Sequence, residues 1–512
     1  MRCCLLPTFF LSKDERIKGK KREREERQEK MEMNVSGSAT EWAVMTYGSV
    51  RLGDERRTRR AVKIASALAR DPMASLPKQL GGQAATKAGY RFLESAQTSY
   101  EQLMAPHLQQ TKAFMQQKRR VLLIQDMTEV DYEHHPKTGG LGPIGNGSHQ
   151  GYLLQTVLAV EPTSKQVLGI AAQEAFLRQP APPGETSAQR DKRKQKESQV
   201  WQRQAQRIGA APLGCDYIHV GDRGSDIFAF LRECLKQGCG FLVRVQHDRR
   251  VDLRVDQAQT PVSPGARRHG KQRPAGQEPA QHLFEEVRRW PERGQQTITL
   301  DGNHKRKQRE ANLSISWGTL RLWPPDGEAG KGELPLVVTV VRTWEPDPPQ
   351  GEEALEWLLL TSVAVENEEQ AWERVEWYRM RWIVEDYHQC LKTGCQIEAR
   401  QVQTYEGLRT VLGFLAPLAV RLLQLREVAR KEPERPAQEV LPSEVVKVVA
   451  HLAHVSPERL TSRRCWHRIA QAGGYLGRKG DGEPGWKTLW KGWVYVQTLL
   501  EGVHLASQLS LE

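Results

Sequence analysis

The sequence predicts an α/β layer flanked by helical regions, and three observations predict it. VLLIQD (121–126) and YIHVGD (217–222) are apolar runs of strand length, each closing on a carboxylate. RGSDIFAFLRECLKQG, which follows the second run, has the pattern of an amphipathic helix ended by Gly238, and FLVRV (241–245) resumes as a strand. Alternation of strand, helix and strand builds a sheet with helices on its faces. At 512 residues the chain is too long for one ordinary domain, and two to four are expected.

The other elements follow in chain order. From Lys13 to Lys30, 15 of 18 residues are charged, nine positive and six negative, so the stretch cannot bury a core and reads as a solvated helix or disordered tail. Two other readings are an arm touching nucleic acid, or an upstream start codon with Met31 or Met33 as the working first residue. Ordered structure is expected from about Trp42. Asp54 is placed to cap a helix over ERRTRRAVKIASALARDP, whose apolar positions Val62, Ala65, Leu68 and Ala69 share a face and which stops at Pro72. Further helices are expected from Gln83 to Glu94 and from Ser99 to about Lys118. TGGLGPIGNGSHQG lacks the Lys-Ser/Thr of a phosphate-cradling loop and runs into a strand, so it predicts a turn. His134 and His135 beside it lack the spaced partners of a zinc site.

Strands are expected over YLLQTVLAV (152–160) and VLGIAAQEAF, then an exposed loop over 178–199 and a helix from Ser198 to Ile208. Residues 246–350 mix basic positions (Arg249, Arg250, Arg267, Arg268, Lys271, Arg273, Lys305, Arg306, Lys307, Arg309) with β-type segments such as NLSISWGTLRLW and LPLVVTVV. That mixture predicts a β-rich insertion with basic loops, closed by the strand EWLLLTS (356–362). One long helix is expected from Glu368 to Lys392, which holds no Pro or Gly, and a second from Glu406 to Glu427. Helical pieces around 441–453, 463–471 and 486–500 complete the chain.

Composition narrows the partners. Lys and Arg number 75 against 62 Asp and Glu, a net charge of +13, which favours a polyanion, nucleic acid ahead of anionic lipid. With 38% hydrophobic residues and 14 tryptophans the chain can build cores, which excludes wholesale disorder. No run of 18 apolar residues occurs, so no membrane span is expected. The eight cysteines show neither a CxxC pair nor zinc spacing and read as reduced cytoplasmic thiols. Apart from Arg2, the positive charges flanking the apolar run of MRCCLLPTFFLSK come after it, the reverse of a secretory signal.

Asp126 and Asp222 lie where an α/β sheet places reactive groups, although each alone reads equally as a turn residue. On a helix turning about 100° per residue, Tyr378, Arg381, Glu385 and Lys392 fall within about 60° of one another. A phenol, a guanidinium, a carboxylate and an ammonium then share one face, with Trp382, Ile383, Tyr387 and Leu391 placed to bury beside it. The plain alternative is a solvent face with an i, i+4 ion pair. Three carboxylates without Cys or His partners suit Mg²⁺ or Mn²⁺. Two such ions can activate an attacking oxygen and stabilise a leaving one in phosphoryl transfer, so a nuclease or strand transferase is expected.

These residues resemble a known family. RWIVEDYHQCLKTG, with the Tyr-x2-Arg-x3-Glu-x6-Lys spacing at 378, 381, 385 and 392, is similar to the signature of the insertion-sequence-four group of DDE transposases. LIQDMTEVDY, LGPIGNGSHQGYLLQTVLAV and VGDRGSDI resemble that group's first catalytic strand, second strand region and second aspartate. LGDERRTRRAVKIASALA and AGYRFLE resemble its N-terminal DNA-binding region, and EWLLLTS the strand before its signature helix. LAVRLLQLRE and LWKGWVYVQTLLEG resemble the C-terminal region of its transposon-five-type members.

The resemblance implies an RNase H-like core in which Asp126, Asp222 and Glu385 hold Mg²⁺ or Mn²⁺. It implies phosphate contacts by Tyr378, Arg381 and Lys392, stacking of an extruded base on Trp357, and contacts of Arg56, Arg57, Arg60 and Arg91 with terminal inverted-repeat DNA. The implied organisation is a charged tail (1–40), a helical DNA-binding domain (41–118), a catalytic domain (119–400, insertion about 246–355) and a helical dimerisation domain (401–512). The implied reaction is metal-dependent cut and paste by a homodimer on transposon-end and target DNA, through nicking, hairpin formation and opening, and strand transfer. The setting would be a bacterial cytoplasm, at the nucleoid, with no membrane. A catalytically silent DNA-binding relative and a nuclease without strand transfer are the alternatives.

Overall fold

The computed structural model describes residues 38–179, 184, 197–253, 281–300, 309–325, 332–478 and 481–509. The charged tail, most of the Pro-rich loop 178–199, and Arg267, Arg268, Lys271, Arg273, Lys305, Arg306 and Lys307 lie outside the described residues.

Five helices open the described chain: α1 (Ala39–Tyr47), α2 (Glu55–Arg70), α3 (Leu76–Leu80), α4 (Gln83–Leu93) and α5 (Tyr100–Met115). Asp54 caps α2 as expected, its side chain accepting from the Arg56 N–H at 2.8 Å. Ser38 with Glu41, and Ser99 with Gln102, form reciprocal capping boxes on α1 and α5. On α2 the buried face is Ala61, Ile64, Ala65, Leu68 and Ala69, which turns its arginines outward.

Strands β1 (Arg120–Asp131), β2 (Gly142–Ile144), β3 (His149–Glu161), β4 (Gln166–Phe176), β5 (Asp216–Gly221) and β6 (Gly240–Arg244) make the first half of one mixed sheet. β1, β3 and β4 pair antiparallel, whereas β1–β5 and β5–β6 pair parallel. Three antiparallel strands followed by two parallel ones form the RNase H-like core. Helices α6 (Gln199–Ile208) and α7 (Phe228–Lys236) supply the crossovers to β5 and β6.

The insertion is not a separate module. Its strands β7 (Arg250–Asp252), β8 (Gln281–His282), β9 (Gly294–Leu300), β10 (Arg309–Leu322) and β11 (Leu336–Trp344), with the short helix α8 (Leu283–Arg288), continue the same sheet. The join is β12 (Glu356–Thr361), antiparallel to both β6 and β11. Two residues expected to line basic loops are held internally instead. Arg309 pairs with Glu345, and Arg249 pairs with Asp226 beneath the surface. Buried carboxylates on neighbouring segments claim these guanidiniums, a partnership that spacing along the chain does not reveal.

The expected single helix from Glu368 to Lys392 is two helices, α9 (Glu368–Arg379) and α10 (Trp382–Gln389), followed by a wide turn over Cys390–Gly394. Between them the backbone tightens to three-residue bonds, Arg381 N–H to the Tyr378 carbonyl (3.0 Å) and Val384 N–H to the Arg381 carbonyl (3.1 Å). The wide turn closes with Cys395 N–H to the Cys390 carbonyl at 2.9 Å. Trp490 packs there so closely that a Cβ on Gly394 would lie 2.4 Å from its Nε1. The wide turn thus faces a tertiary neighbour, and the tight turn forms without a Pro or Gly to mark it.

The C-terminal region is helical: α11 (Tyr405–Lys431), α12 (Ser443–Leu452), α13 (Ser462–Ala472) and α14 (Trp486–Leu509). Residues Tyr405–Glu427 of α11 are long and apolar enough to cross a bilayer, but 94% of that window is buried among the other elements. α11 is a core helix here. α13 and α14 cross in near backbone contact, since a Cβ on Gly492 would lie 1.6 Å from the Ile469 carbonyl oxygen.

One apolar core runs from α1–α5 across one face of the sheet to α9–α14, and a second lies on the other face under α6–α8. Arg400 ties the first core together. Buried beside the wide turn, its guanidinium donates to the carbonyls of Pro72 (2.5 Å), Ala74 (2.7 Å) and Cys395 (2.6 Å) and to Gln79 Oε1 (3.0 Å). A second tie is polar and internal. Gln173 Nε2 donates to Thr156 Oγ1 (2.9 Å) and Tyr387 Oη (3.0 Å), its Oε1 accepts from Tyr100 Oη (3.0 Å), and His388 Nε2 lies 3.2 Å from Thr156 Oγ1. This network locks α5, β3, β4 and α10 in one register.

Three imidazoles are buried in the neutral form. Burial pushes His107 down to about 4 and His219 and His388 down to about 3. The unfolded chain takes up these protons below about pH 6.5, whereas the folded chain resists until near pH 4 to 3. Their contribution to stability is therefore complete above about pH 6.5 and is lost as pH falls, by about 1 kcal/mol per pH unit for each imidazole. The melting temperature should drop steeply from pH 6.5 to 4, and His388→Gln should flatten that slope. An unchanged slope in the variant would count against the neutral assignment of His388.

Candidate functional site

Asp126 was expected to end its strand. Instead β1 continues to Asp131, because its antiparallel ladder with β3 runs from Leu122↔Val160 to Asp131↔Gly151. The parallel ladder with β5 stops earlier, at Ile124↔Val220. Carrying that register two residues further sets Asp126 beside Asp222, which follows β5 and caps a short 3-10 turn by accepting from the Gly224 N–H at 2.9 Å. Both side chains then point to the same face, as even offsets in a parallel ladder require.

Glu385 comes to this point from α10, and Arg381 connects the two elements. Its Nη2 lies 2.5 Å from Glu385 Oε1 and its Nη1 3.8 Å from Asp126 Oδ2. Burial, then repulsion from Asp222, pushes the Asp126 carboxyl up to about 7, with Glu385 adding to the repulsion while Arg381 and the Met127 N–H oppose it. Burial works against the Arg381 charge, yet Glu385, Tyr378 and Asp126 keep its guanidinium above the ordinary value. An all-carboxylate cluster, half-buried and short of positive charge, suits a hard divalent cation. Asp126, Asp222 and Glu385 therefore fit Mg²⁺ or Mn²⁺ by donor chemistry.

Around this cluster the expected helix face is redistributed. Tyr378 lies in the last turn of α9, buried, with its ring 5.9 Å from Trp357 in an edge-on contact. Trp357 is half-buried on β12, opposite Thr343. The Arg381 guanidinium lies 5.9 Å from the Tyr378 ring and 4.9 Å from Trp382. Trp382, expected to bury, is 60% exposed, because it lies across the helix from the buried Val384, Tyr387 and His388 of α10. The indole is thus an exposed stacking surface beside the acidic cluster that sequence reading placed in the core. Lys392 sits in the wide turn and pairs with Glu398 at 3.0 Å instead of with Glu385.

The second basic surface lies on the N-terminal helices. Arg56, Arg57, Arg60 and Arg91 line one groove of about 300 Å³ together with Ser95 and Thr98. Arg57 is braced by donating to the Leu52 carbonyl at 3.0 Å and to Gln97, whereas Arg59 turns away to Glu55. Arg91 also lines a larger groove of about 700 Å³ whose other wall is His134, His135 and Lys137, after β1. Folding thus brings arginines from α2 and α4 into one patch fitted to phosphates.

Comparison with known proteins decides the family. Residues 39–98 match the family described as transposase DNA-binding, 185–420 the transposase DDE domain, and 418–511 the transposase Tn5 dimerisation domain. The chain belongs to the Tn5-like DDE transposases. A cryo-EM structure of a piggyBac transposase synaptic complex with hairpin DNA aligns over 94% of this chain and 81% of that one, at 9% identity and a TM-score of 0.31, a likeness on which no argument rests.

The transposase thus has a DNA-binding region on α1–α4, a DDE domain on the mixed sheet and a dimerisation domain on the C-terminal helices. A further group, Asp131, Glu133 and His149, brings ligand atoms within 4.8 Å of one another on the surface. His149 Nδ1 is 2.9 Å from Asp131 and 3.1 Å from Glu133, so these groups satisfy one another as an ion-paired cluster.

Arg381→Ala removes the cation shared by Asp126 and Glu385. A charge-assisted contact of this kind is worth about 1.5–3 kcal/mol, so single-turnover DNA cleavage should slow by roughly one to two orders of magnitude. A variant that cleaves at the wild-type rate would rule out a role for Arg381.

Proposed function

We propose that this transposase binds the inverted repeats at transposon ends and performs Mg²⁺-dependent cut-and-paste transposition. The observation that carries the reading is that Asp222 and Glu385, from two other elements, both crowd Asp126, with the Arg381 guanidinium reaching Asp126 and Glu385. These carboxylates would hold Mg²⁺ or Mn²⁺, which when bound activates the attacking oxygen and stabilises the leaving one. Arg56, Arg57, Arg60 and Arg91 would grip the terminal-repeat backbone, and their groove favours phosphate contact over base readout. Arg381, Tyr378 and Lys392 would position phosphates near the scissile bond.

The proposed reaction is the cut-and-paste sequence that the family resemblance implies. A first strand is nicked at the transposon end, the freed 3′-OH attacks the opposite strand to give a hairpin, water reopens it, and the 3′-OH attacks target DNA. Hairpin formation requires a base to leave the stack. The half-buried Trp357, edge-on to Tyr378, offers an indole to receive it. The C-terminal helices would pair two subunits so that each site works on the end bound by the other, at the nucleoid in a bacterial cytoplasm. A silent DNA-binding relative would not need the acidic cluster, and a simple nuclease would not need the indole.

Two measurements test this. On labelled duplex ending in the inverted repeats that flank the gene, Asp126→Ala, Asp222→Ala and Glu385→Ala should each abolish Mg²⁺-dependent cleavage while end binding stays within a few-fold. Wild-type cleavage by Asp222→Ala would end the assignment. Trp357→Ala should keep the first nick but reduce hairpin product by about tenfold, in line with the stacking energy of one base on an aromatic ring. Equal loss of both products would remove the stacking role.

A further inference from the structure

Asp222 is held by more than its own strand. The Asp222 carbonyl accepts from Ser225 N–H (3.1 Å) and Ser225 Oγ (2.6 Å), and the turn closes with Asp226 N–H to the Arg223 carbonyl (3.1 Å). The Asp226 side chain is fully buried, and its three hydrogen bonds all go to residues 246–249, where the insertion leaves the core. Its Oδ2 accepts from the N–H groups of Gln246 (2.7 Å) and His247 (2.9 Å), and its Oδ1 from Arg249 Nη1 (2.5 Å). Arg249 Nη2 donates to the Asp226 carbonyl oxygen at 2.6 Å, so one planar guanidinium holds both the side chain and the backbone of the turn.

The same root segment is fastened to the insertion on its other side. The Arg249 carbonyl accepts from Leu283 N–H (3.0 Å), Asp248 Oδ1 from Phe284 N–H (2.9 Å), and the Arg250 carbonyl from Trp323 N–H (3.0 Å). A path of hydrogen bonds and the peptide links between adjoining residues therefore runs from α8 and the end of β10, through Arg249 and Asp226, to the turn that Asp222 opens.

We infer that Arg249 and Asp226 are positioning residues through which the β insertion sets the Asp222 carboxylate for metal binding. The inference rests on Asp222 being a metal ligand. A buried aspartate with this many donors is a rigid anchor, and a displaced anchor rotates the carboxylate four residues before it. DNA lying on the insertion then has a direct mechanical route to the metal site.

Mn²⁺ binding to the full chain, measured by calorimetry without DNA, provides the test. Arg249→Gln alone leaves a buried unpaired carboxylate and endangers the fold. The uncharged pair Asp226→Asn with Arg249→Gln avoids that, and Arg249→Lys keeps the charge without the two-point grip. Both should lower Mn²⁺ affinity by about tenfold, the scale seen when partners behind a metal ligand are lost. Inverted-repeat binding and the circular dichroism spectrum should stay at wild-type values. Wild-type Mn²⁺ affinity in either folded variant overturns the inference, as does a loss of DNA binding equal to the loss of metal binding. Asp222→Ala separates the two levels. If it binds Mn²⁺ like the wild type, the metal-ligand reading of Asp222 fails; if only it loses Mn²⁺, the positioning role fails.

Discussion

Like charges brought together in a half-buried place are the constraint on which the rest of this structure depends. Asp126, Asp222 and Glu385 come from three elements, and the Asp126 carboxyl rises to about 7 through burial and the repulsion of its neighbours. Left to itself such a cluster would push its elements apart. Arg381 opposes this by reaching both Asp126 and Glu385, the latter one helical turn away on α10. A divalent cation would complete the balance that one guanidinium begins.

Holding α10 against that repulsion takes a supporting structure, and the fold supplies it from behind the site. Thr156 lies directly across the ladder from Asp126 and shares a buried polar network with Gln173, Tyr387, His388 and Tyr100. Tyr387 and His388 are within three residues of Glu385, so the network fixes the helix that carries it. Tyr100 belongs to α5, which brings the DNA-binding helices into the same frame. Arg400 adds a second fastening between the α2–α3 connection and the turn after α10. An end gripped by the arginine groove is thereby referred to the acidic cluster through buried, hydrogen-bonded contacts.

Much of this was legible in the chain, and the misses share a cause. The alternating pattern around VLLIQD and YIHVGD located both aspartates, and Asp54 marked a helix start that its own side chain makes. The arginines of α2 were visible as a basic face, yet their union with Arg91 needed α4 to fold back beside them. The uninterrupted run from Glu368 to Lys392 gave no sign of a break, since the tight turn forms there without a Pro or Gly. Trp382 was placed in the core by helical spacing and emerges in solvent, because the face that α10 buries is Val384, Tyr387 and His388 on its other side. Arg249 and Arg309 counted toward the basic surface until buried carboxylates claimed them.

By itself the sequence determined which side chains are available and in what order, and so the family, the layered α/β core and the three carboxylates. Those properties follow from local periodicity and residue chemistry, which a linear chain displays. Only the tertiary structure decided that Asp126 lies within a strand, that Arg381 bridges two acids while Lys392 turns to Glu398, and that the insertion extends the sheet and fastens the Asp222 turn. Each of these is a choice among competing partners, most of them far apart in sequence, settled by burial and charge once the elements have packed.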